Sequence, residues 1–156
     1  MNYKILINDF DSDFWRGRAC AFMDYNLYQT WTYQDIRAGN DKQAVSRFII
    51  QSDDGVPCLM GQVRSRKISP FGLRIGYIQW GPLCRKRQGI VKDAGKLFTL
   101  LKTAYVPSRV NILRIAPNIF ETEAENLVPV LQAAGFKRLS YIKPYRTMLF
   151  PLDADE

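Results

Sequence analysis

Tyr77-Ile78-Gln79-Trp80-Gly81-Pro82-Leu83-Cys84, followed at once by Arg85-Lys86-Arg87-Gln88-Gly89, is the stretch that decides the fold. Its first half is mostly apolar and stops at a Gly-Pro pair, which predicts a buried strand and then a short basic loop. An amphipathic helix is predicted after the loop, and the free N–H groups of a first helical turn favour an anion at such a junction. We therefore expect Arg85, Lys86 and Arg87 to grip an anion. A solvated basic turn is the alternative.

Downstream of this stretch, helical and strand patterns alternate. Residues 92–105 show apolar positions at helical spacing, and residues 110–116 predict a strand that a proline ends. A following helix with Asn126 as its N-cap places Pro129 in the first turn, where its missing N–H is harmless. Gly135 is expected at the end of that helix, and residues 136–152 are β-rich.

Upstream of this stretch, the pattern predicts one strand, two helices and an antiparallel meander. The strand covers residues 3–7, and the helices cover 14–23, with Ser12 as a cap, and 27–37. The meander consists of strands 44–51, 57–68 and 73–80, with a hairpin signal at Asp53-Asp54-Gly55 between the first two. The last of these is the most apolar, so we expect it to be central. This order predicts an α+β (mixed α/β) layered fold and not a doubly wound parallel one.

Length and charge indicate a single domain with an anionic partner. The chain has 156 residues and a net charge of +7, and we assign residues 1–152 to one domain. Residues 153–156 are an acidic tail or an artificial end. The basic body favours nucleic acid, phosphates, nucleotide-linked sugars or an acidic membrane surface as partners, with plain solubility as the alternative.

The lack of certain residue types and segments in the sequence excludes several classes of function. It has no histidine, which excludes Ser-His and Cys-His catalysis and the usual histidine metal sites. Cys20, Cys58 and Cys84 fit neither a disulfide framework nor a zinc pattern, so we expect reduced, buried thiols and no metal. No apolar run approaches the ~18 residues of a membrane span, and there is no signal-peptide core. These features predict a cytoplasmic protein.

Candidate binding residues are basic or aromatic. Arg64, Arg66 and Lys67 lie on one predicted strand, where they flank an anion or protect a sheet edge. Trp31 and Trp80 stack on bases or a sugar, or else pack in the core. No carboxylates are paired by spacing, so catalytic residues cannot be assigned.

The order of these elements resembles the GNAT acyltransferase superfamily. Four stretches carry a closer resemblance: Tyr28-Gln29-Thr30-Trp31, Tyr77-Ile78-Gln79-Trp80-Gly81-Pro82-Leu83, Ala133-Ala134-Gly135-Phe136 and Tyr145-Arg146-Thr147-Met148-Leu149-Phe150-Pro151-Leu152-Asp153. Through them the chain resembles the first domain of the FemAB-like peptidoglycan-bridge aminoacyltransferases and related acyltransferases of polysaccharide gene clusters.

This resemblance implies a GNAT-like domain, with a mostly antiparallel central sheet flanked by helices. It implies the N-terminal half of an acyl- or aminoacyltransferase that binds an anionic precursor, namely a nucleotide- or lipid-linked sugar. Aminoacyl-tRNA or acyl-CoA would be the donor, with no permanently bound cofactor. A second GNAT-like domain or a homodimer would complete the enzyme. The alternative is a non-catalytic GNAT-like module that binds RNA or another anionic partner.

The residues expected to bind substrate follow from this resemblance and from the basic loop. Arg37 lies eight residues after Gln29, where the family has a basic residue that grips the precursor's phosphates, and arginine can bind phosphate with two donors. The nearest register to the GNAT pyrophosphate loop is Lys86-Arg87-Gln88-Gly89-Ile90-Val91. The complete predicted set is Arg37, Arg85, Lys86, Arg87, Trp31 and Trp80.

Overall fold

The computed structural model describes residues 2–68, 70 and 72–139 of the chain. In chain order the elements are β1 (Tyr3–Ile7), α1 (Ser12–Ala19), a 3-10 turn (Leu27–Gln29), α2 (Trp31–Asn40), β2 (Ala44–Ser52), β3 (Pro57–Ile68), β4 (Leu73–Gln79), β5 (Arg85–Lys86), β6 (Gly89–Ile90), α3 (Ala94–Tyr105), β7 (Ile112–Ala116) and α4 (Glu121–Ala133).

A five-stranded sheet in the order β1-β2-β3-β4-β7 forms the centre of the fold. The first four strands pair antiparallel, and β7 pairs parallel to β4. The predicted fold class, a mixed α/β domain with a mostly antiparallel central sheet flanked by helices, is confirmed. The middle strand is β3, and β4 is an interior strand beside it. The apolar pattern of β4 therefore reflects neighbours on both sides.

The two faces of the sheet carry separate cores. One face packs against α3, and the pattern predicted for that helix is confirmed because Leu97, Phe98 and Leu101 are fully buried. The other face packs against α1, and its centre consists of Trp15, Ala19, Phe22, Ile49, Met60 and Leu83. Side chains alternate between these faces along β2 and β3, as the period of a strand requires.

The first two helices have different limits from those predicted. The N-cap of α1 is Asp11, whose Oδ1 accepts a hydrogen bond of 2.8 Å from the Phe14 N–H. The helix ends at Ala19, and the segment to residue 26 contains tight turns. The predicted helix over 27–37 is divided because Thr30 is extended between the 3-10 turn and α2. The predicted turn at Asp53-Asp54-Gly55 is confirmed.

The start of α4 at Asn126 was wrong. The helix begins at Glu121 and carries Pro129 in its interior. Pro129 cannot donate to the Glu125 carbonyl one turn earlier. Both residues lie on the exposed side of the helix, where water can satisfy that carbonyl, so the helix continues through the proline. No strand begins at 136–139, and the remainder of the predicted strand over 136–152 lies outside the described residues.

Three properties predicted from composition can be compared with the described residues. All three cysteines are free, but only Cys84 is buried, Cys58 is half-buried and Cys20 is exposed. In the part of the chain that the structure describes, no group of three or more potential ligands could hold a metal ion. None of the helices described there has the length and apolar character needed to cross a membrane.

Candidate functional site

The ladder between β3 and β4 opens at the end of β4. Arg64 pairs with Tyr77, and the next bridge joins Met60 to Leu83. On β3 the two bridged residues, Arg64 and Met60, are four positions apart, whereas their partners Tyr77 and Leu83 are six positions apart. Two extra residues are therefore accommodated after β4. Such an irregularity leaves backbone donors and acceptors without cross-strand partners.

The side chain of Gln29 fills the opening in the ladder. Its Oε1 accepts a hydrogen bond of 3.2 Å from the Gln62 N–H, and its Nε2 donates one of 2.7 Å to the Gln79 carbonyl. The Gln29 side chain is fully buried. One amide group therefore takes the place of a missing peptide unit between the two strands, and buried backbone groups are satisfied as they must be.

Gly81 permits this close approach of Gln29. A Cβ at position 81 would lie 2.7 Å from Gln29 Nε2 and 2.9 Å from its Cδ. Beside it, Trp80 has a φ of 51°, in the left-handed region that few bulky residues adopt. The Trp80 carbonyl accepts a 2.8 Å hydrogen bond from Asn26 Nδ2. The end of β4 is thus a constrained backbone segment, a feature that is common at functional sites.

We call Gln29, Gln62, Arg64 and Gln79 the polar seam. Gln62 Nε2 donates to the Gln29 carbonyl at 2.7 Å, and Arg64 Nη2 donates to Gln79 Oε1 at 2.6 Å. Gln29 and Gln62 are fully buried, and Arg64 is 8% exposed. The seam therefore joins the chain before α2 to both β3 and β4 through buried polar side chains.

Arg37 is linked to the polar seam through Asp41. Its Nε lies 3.3 Å from Asp41 Oδ2, and the same oxygen lies 3.5 Å from Arg64 Nη1. The Arg37 side chain is 52% exposed, so it can contact a ligand. Burial lowers the pKa of Arg64, and the nearby Arg37 charge lowers it further, while Asp41 opposes both. One carboxylate thus serves two guanidinium groups.

Trp31 has a different environment from that of Trp80. Its ring packs edge-on against Phe10 and Trp15, and the Arg47 guanidinium lies over it at 3.6 Å from the ring centroid. Trp31 therefore packs against the core on the α1 face of the sheet, which is the alternative to stacking on a base or sugar. Trp80 is half-buried beside the ring of Tyr28, with centroids 5.9 Å apart.

The basic segment forms a small hairpin, and not the open loop that was predicted. Arg85 pairs with Ile90 and Lys86 with Gly89, and Arg87 is exposed at the turn. The Arg85 guanidinium lies 4.7 Å from the centroid of the Phe120 ring, and the Lys86 ammonium lies 5.4 Å from that of Phe22. The basic residues therefore lie on a hairpin that ends before α3 begins.

The start of α3 also differs from an anion-binding junction. Its N-cap is Asp93, in the left-handed region with a φ of 55°, and no side-chain cap is formed. The Tyr3 hydroxyl donates a 2.9 Å hydrogen bond to Asp93 Oδ2. Burial and this carboxylate together raise the pKa of Tyr3 to about 12. A carboxylate therefore lies at the start of α3, where it would repel a phosphate, and the basic residues lie on the hairpin before it.

A buried carboxylate that no sequence pattern singles out, Asp24, accepts hydrogen bonds from the start of the hairpin. Asp24 is 1% exposed, and its oxygens accept hydrogen bonds from the Cys84 N–H at 2.9 Å and the Arg85 N–H at 3.2 Å. Burial raises the pKa of Asp24, and these two N–H groups oppose the shift. Asn26 Nδ2 donates to the Asp24 carbonyl at 2.8 Å as well as to Trp80.

These contacts connect three of the predicted substrate-binding residues. Arg37 reaches Gln79 through Asp41 and Arg64. From there the chain continues to Trp80, which Asn26 and Asp24 link to Arg85. Lys86 and Arg87 follow on the hairpin, and Trp31 is half-buried against the core on the α1 face. Gln29 belongs to one of the stretches that carry the family resemblance, but no local sequence pattern predicts that its side chain is buried.

The fold is similar to solved acetyltransferase structures over nearly its whole length. A probable acetyltransferase has a TM-score of 0.54 at 12% identity, covering 95% of this chain and 99% of that one. An aminoglycoside antibiotic 6'-N-acetyltransferase from Acinetobacter haemolyticus has a TM-score of 0.51 at 12% identity, covering 96% and 100%. A transcriptional regulator from Bacillus halodurans has a TM-score of 0.52 at 11% identity, covering 94% and 100%.

At these identities the likeness shows the fold alone. The chain has the GNAT-type acetyltransferase fold. No protein-family model and no curated protein sequence matches it.

Proposed function

We propose that this chain is an acyl- or aminoacyltransferase domain of the FemAB type, acting on an anionic cell-wall or polysaccharide precursor in the cytoplasm. The precursor is a nucleotide- or lipid-linked sugar. Arg37 and Arg85 bind its phosphates, Lys86 and Arg87 add positive charge, and Trp80 contacts its sugar. A second GNAT-like domain or a second copy of the chain completes the site.

The observation that carries this proposal is the chain of contacts from Arg37 through the polar seam to Trp80 and Arg85. It ties the positions of Arg37, Trp80 and Arg85 to one constrained strand end. Guanidinium groups match phosphate oxygens with paired donors, and an aromatic ring suits a sugar or base.

Acyl transfer itself requires little acid–base machinery. The acceptor amine attacks the carbonyl carbon of an activated ester or thioester, and the alcohol or thiol leaves. Positioning the two reactants and donating hydrogen bonds to the developing oxyanion supply most of the acceleration. Acyl-CoA or aminoacyl-tRNA would serve as donor. This chemistry is compatible with a chain that has no histidine.

Charge distinguishes the proposed acceptor from that of an aminoglycoside acetyltransferase. Aminoglycosides are polycations, whereas this chain has a net charge of +7. A basic protein repels a polycation and attracts a polyanion at long range. We therefore favour an anionic acceptor on the same fold.

The test is the affinity for a nucleotide-linked cell-wall precursor, measured by titration calorimetry. Arg37→Ala with Arg85→Ala removes two charge-assisted contacts, each worth about 1.5 kcal/mol or more, so the affinity should fall roughly a hundredfold. Lys4→Ala with Arg16→Ala removes the same charge from β1 and α1 and should change it by less than about threefold, since distant surface charges are screened. Equal losses in both double variants would refute the site assignment. Turnover is measured with acyl-CoA and with aminoacyl-tRNA as donors.

A specific observation favours a second function, a non-catalytic module that binds RNA. Asp93 occupies the N-cap of α3, and a hairpin replaces the phosphate-binding loop, so an acyl-CoA pyrophosphate has no evident cradle there. RNA binding through the basic face would weaken steeply with salt, by about 0.7 log units per log unit of salt for each phosphate contacted on a single strand. Salt-insensitive binding would exclude this function.

A further inference from the structure

A cavity of about 240 Å³ lies beside Arg64 of the polar seam, on the face of the sheet that also packs against α1. The described residues that line it are Gln43, Arg64, Arg66, Ile68, Ile75, Tyr77 and Arg114. Pockets for whole drug-sized molecules measure roughly 300–1,000 Å³. This cavity is smaller, and it suits the charged head of a ligand.

The sheet register brings the three arginines of the cavity together. Arg64 pairs with Tyr77 across the antiparallel β3–β4 ladder, and Tyr77 pairs with Arg114 across the parallel β4–β7 ladder. The Arg114 guanidinium lies 5.9 Å from the centroid of the Tyr77 ring. Arg66 follows two residues after Arg64 and so shares its face. A tyrosine ring thus lies between two arginines in one row, with a third beside it.

Arg64 is the buried member of this group. It is 8% exposed, and its Nε is buried without a hydrogen-bond partner in the part of the chain that the structure describes. Solvated arginines at a sheet margin would explain Arg66 and Arg114, which are exposed. They would not explain a buried guanidinium with an unbonded donor, because buried polar groups are almost always paired.

The charge of the cavity is not balanced by the described residues. Asp41 is the carboxylate that pairs with Arg64, and it is shared with Arg37. Among the described residues, no ion pair is formed by Arg66 or Arg114. Three guanidinium groups beside one shared carboxylate leave an excess positive charge that favours an anion of more than one negative charge.

We infer that this cavity is a binding site for the diphosphate group of a small organic ligand. The three guanidinium groups donate to its oxygens, including a donor from Arg64 Nε. The apolar walls formed by Ile68 and Ile75 contact the adjoining part of the ligand. A diphosphate carries two or three negative charges, which matches three arginines better than a single carboxylate does. The site shares Arg64 with the contact chain that supports the proposed function. Arg66 and Arg114 take no part in that chain, so the two proposals are tested through different residues.

The probe is inorganic pyrophosphate, titrated calorimetrically at physiological ionic strength, with orthophosphate and uridine diphosphate as comparisons. We expect pyrophosphate and uridine diphosphate to bind, and orthophosphate to bind at least tenfold more weakly. Arg66→Ala with Arg114→Ala should weaken pyrophosphate binding at least tenfold. Both side chains are exposed and outside the ion pairs described, so the fold should persist, as circular dichroism will verify. Lys4→Ala with Arg16→Ala, which removes equal charge elsewhere, should change the affinity less than twofold.

A second measurement reports on Arg64 without altering it. Its Nε–H resonance in a nitrogen–proton spectrum should shift on addition of pyrophosphate, and the shift should be absent in the Arg66→Ala, Arg114→Ala variant. Three outcomes would overturn the inference: no binding of pyrophosphate, equal loss in both double variants, or an unchanged Arg64 signal. Single-stranded RNA that binds through the same two arginines and displaces pyrophosphate would also overturn it, because the ligand would then be a polymer. Arg85 does not line the cavity, so Arg85→Ala alone should weaken precursor binding and leave pyrophosphate binding unchanged, and the two proposals fail separately.

Discussion

Replacement of Gln29 is predicted to destabilise the fold more than replacement of any exposed glutamine. The Gln29→Met change keeps the length and most of the volume of the side chain but leaves the Gln62 N–H and the Gln79 carbonyl without partners. An unsatisfied buried group costs about 1–3 kcal/mol, so the free energy of unfolding should fall by about 2–6 kcal/mol. That is a large part of the ~5–15 kcal/mol of a typical domain. Urea unfolding followed by tryptophan fluorescence and circular dichroism measures it.

Controls separate the hydrogen bonds from packing and from general effects. Gln88→Ala, in the exposed turn of the basic hairpin, should change stability by less than about 0.5 kcal/mol. Gly81→Ala should be destabilising because its Cβ would lie 2.7 Å from Gln29 Nε2. In a Gln29→Ala background that contact is gone, so the two changes should be non-additive by about 1–3 kcal/mol. A loss below about 1 kcal/mol in Gln29→Met, or strict additivity of the pair, would refute the bridging role of Gln29.

Three other predictions concern titration, a helix and the basic hairpin. Burial raises the pKa of the fully buried Tyr105 to about 12, so its contribution to stability is present below pH 10 and is lost as pH rises toward 12. The difference in unfolding free energy between wild type and Tyr105→Phe should therefore change by up to about 3 kcal/mol over that interval, and a pH-independent difference would contradict this. Pro129→Ala restores a backbone N–H that can donate to the Glu125 carbonyl inside α4. The protein should become more stable by about 1–3 kcal/mol, which is measured as a higher midpoint of thermal unfolding. An unchanged midpoint would show that the helix already accommodates the proline. Asp24→Ala removes the acceptor of the Cys84 and Arg85 N–H groups. The free energy of unfolding should fall by about 2–4 kcal/mol, and hydrogen exchange at those two amides should become faster. Unchanged exchange would show that other contacts hold the hairpin.

The spacing of apolar and turn-forming residues predicted those elements whose structure depends on local sequence. The 3.6-residue period of α3 and the Asp53-Asp54-Gly55 turn depend on local sequence, and both are confirmed. The predicted start of α4 was wrong because the free-energy cost of an interior proline depends on its surroundings. Exposure of Pro129 and Glu125 lowers that cost, and exposure is a property of the tertiary structure.

The basic segment shows a second reason for failure. Its composition correctly indicated a polar connection after β4, but a loop and a hairpin of the same residues are equally basic. The hairpin is selected by Asp24, which lies sixty residues earlier and accepts the Cys84 N–H. No local pattern at residues 85–89 contains that information.

The arginine cavity shows what sequence alternation can and cannot supply. Alternation along β3 places Arg64 and Arg66 on one face, so their common side follows from the sequence alone. Arg114 joins them only because β7 pairs parallel to β4 in the register that sets it beside Tyr77. That register depends on the crossover through α3 and on the packing of that helix against the opposite face. The sequence therefore predicts a pair of arginines on one face, whereas the group of three arises only from the assembled sheet.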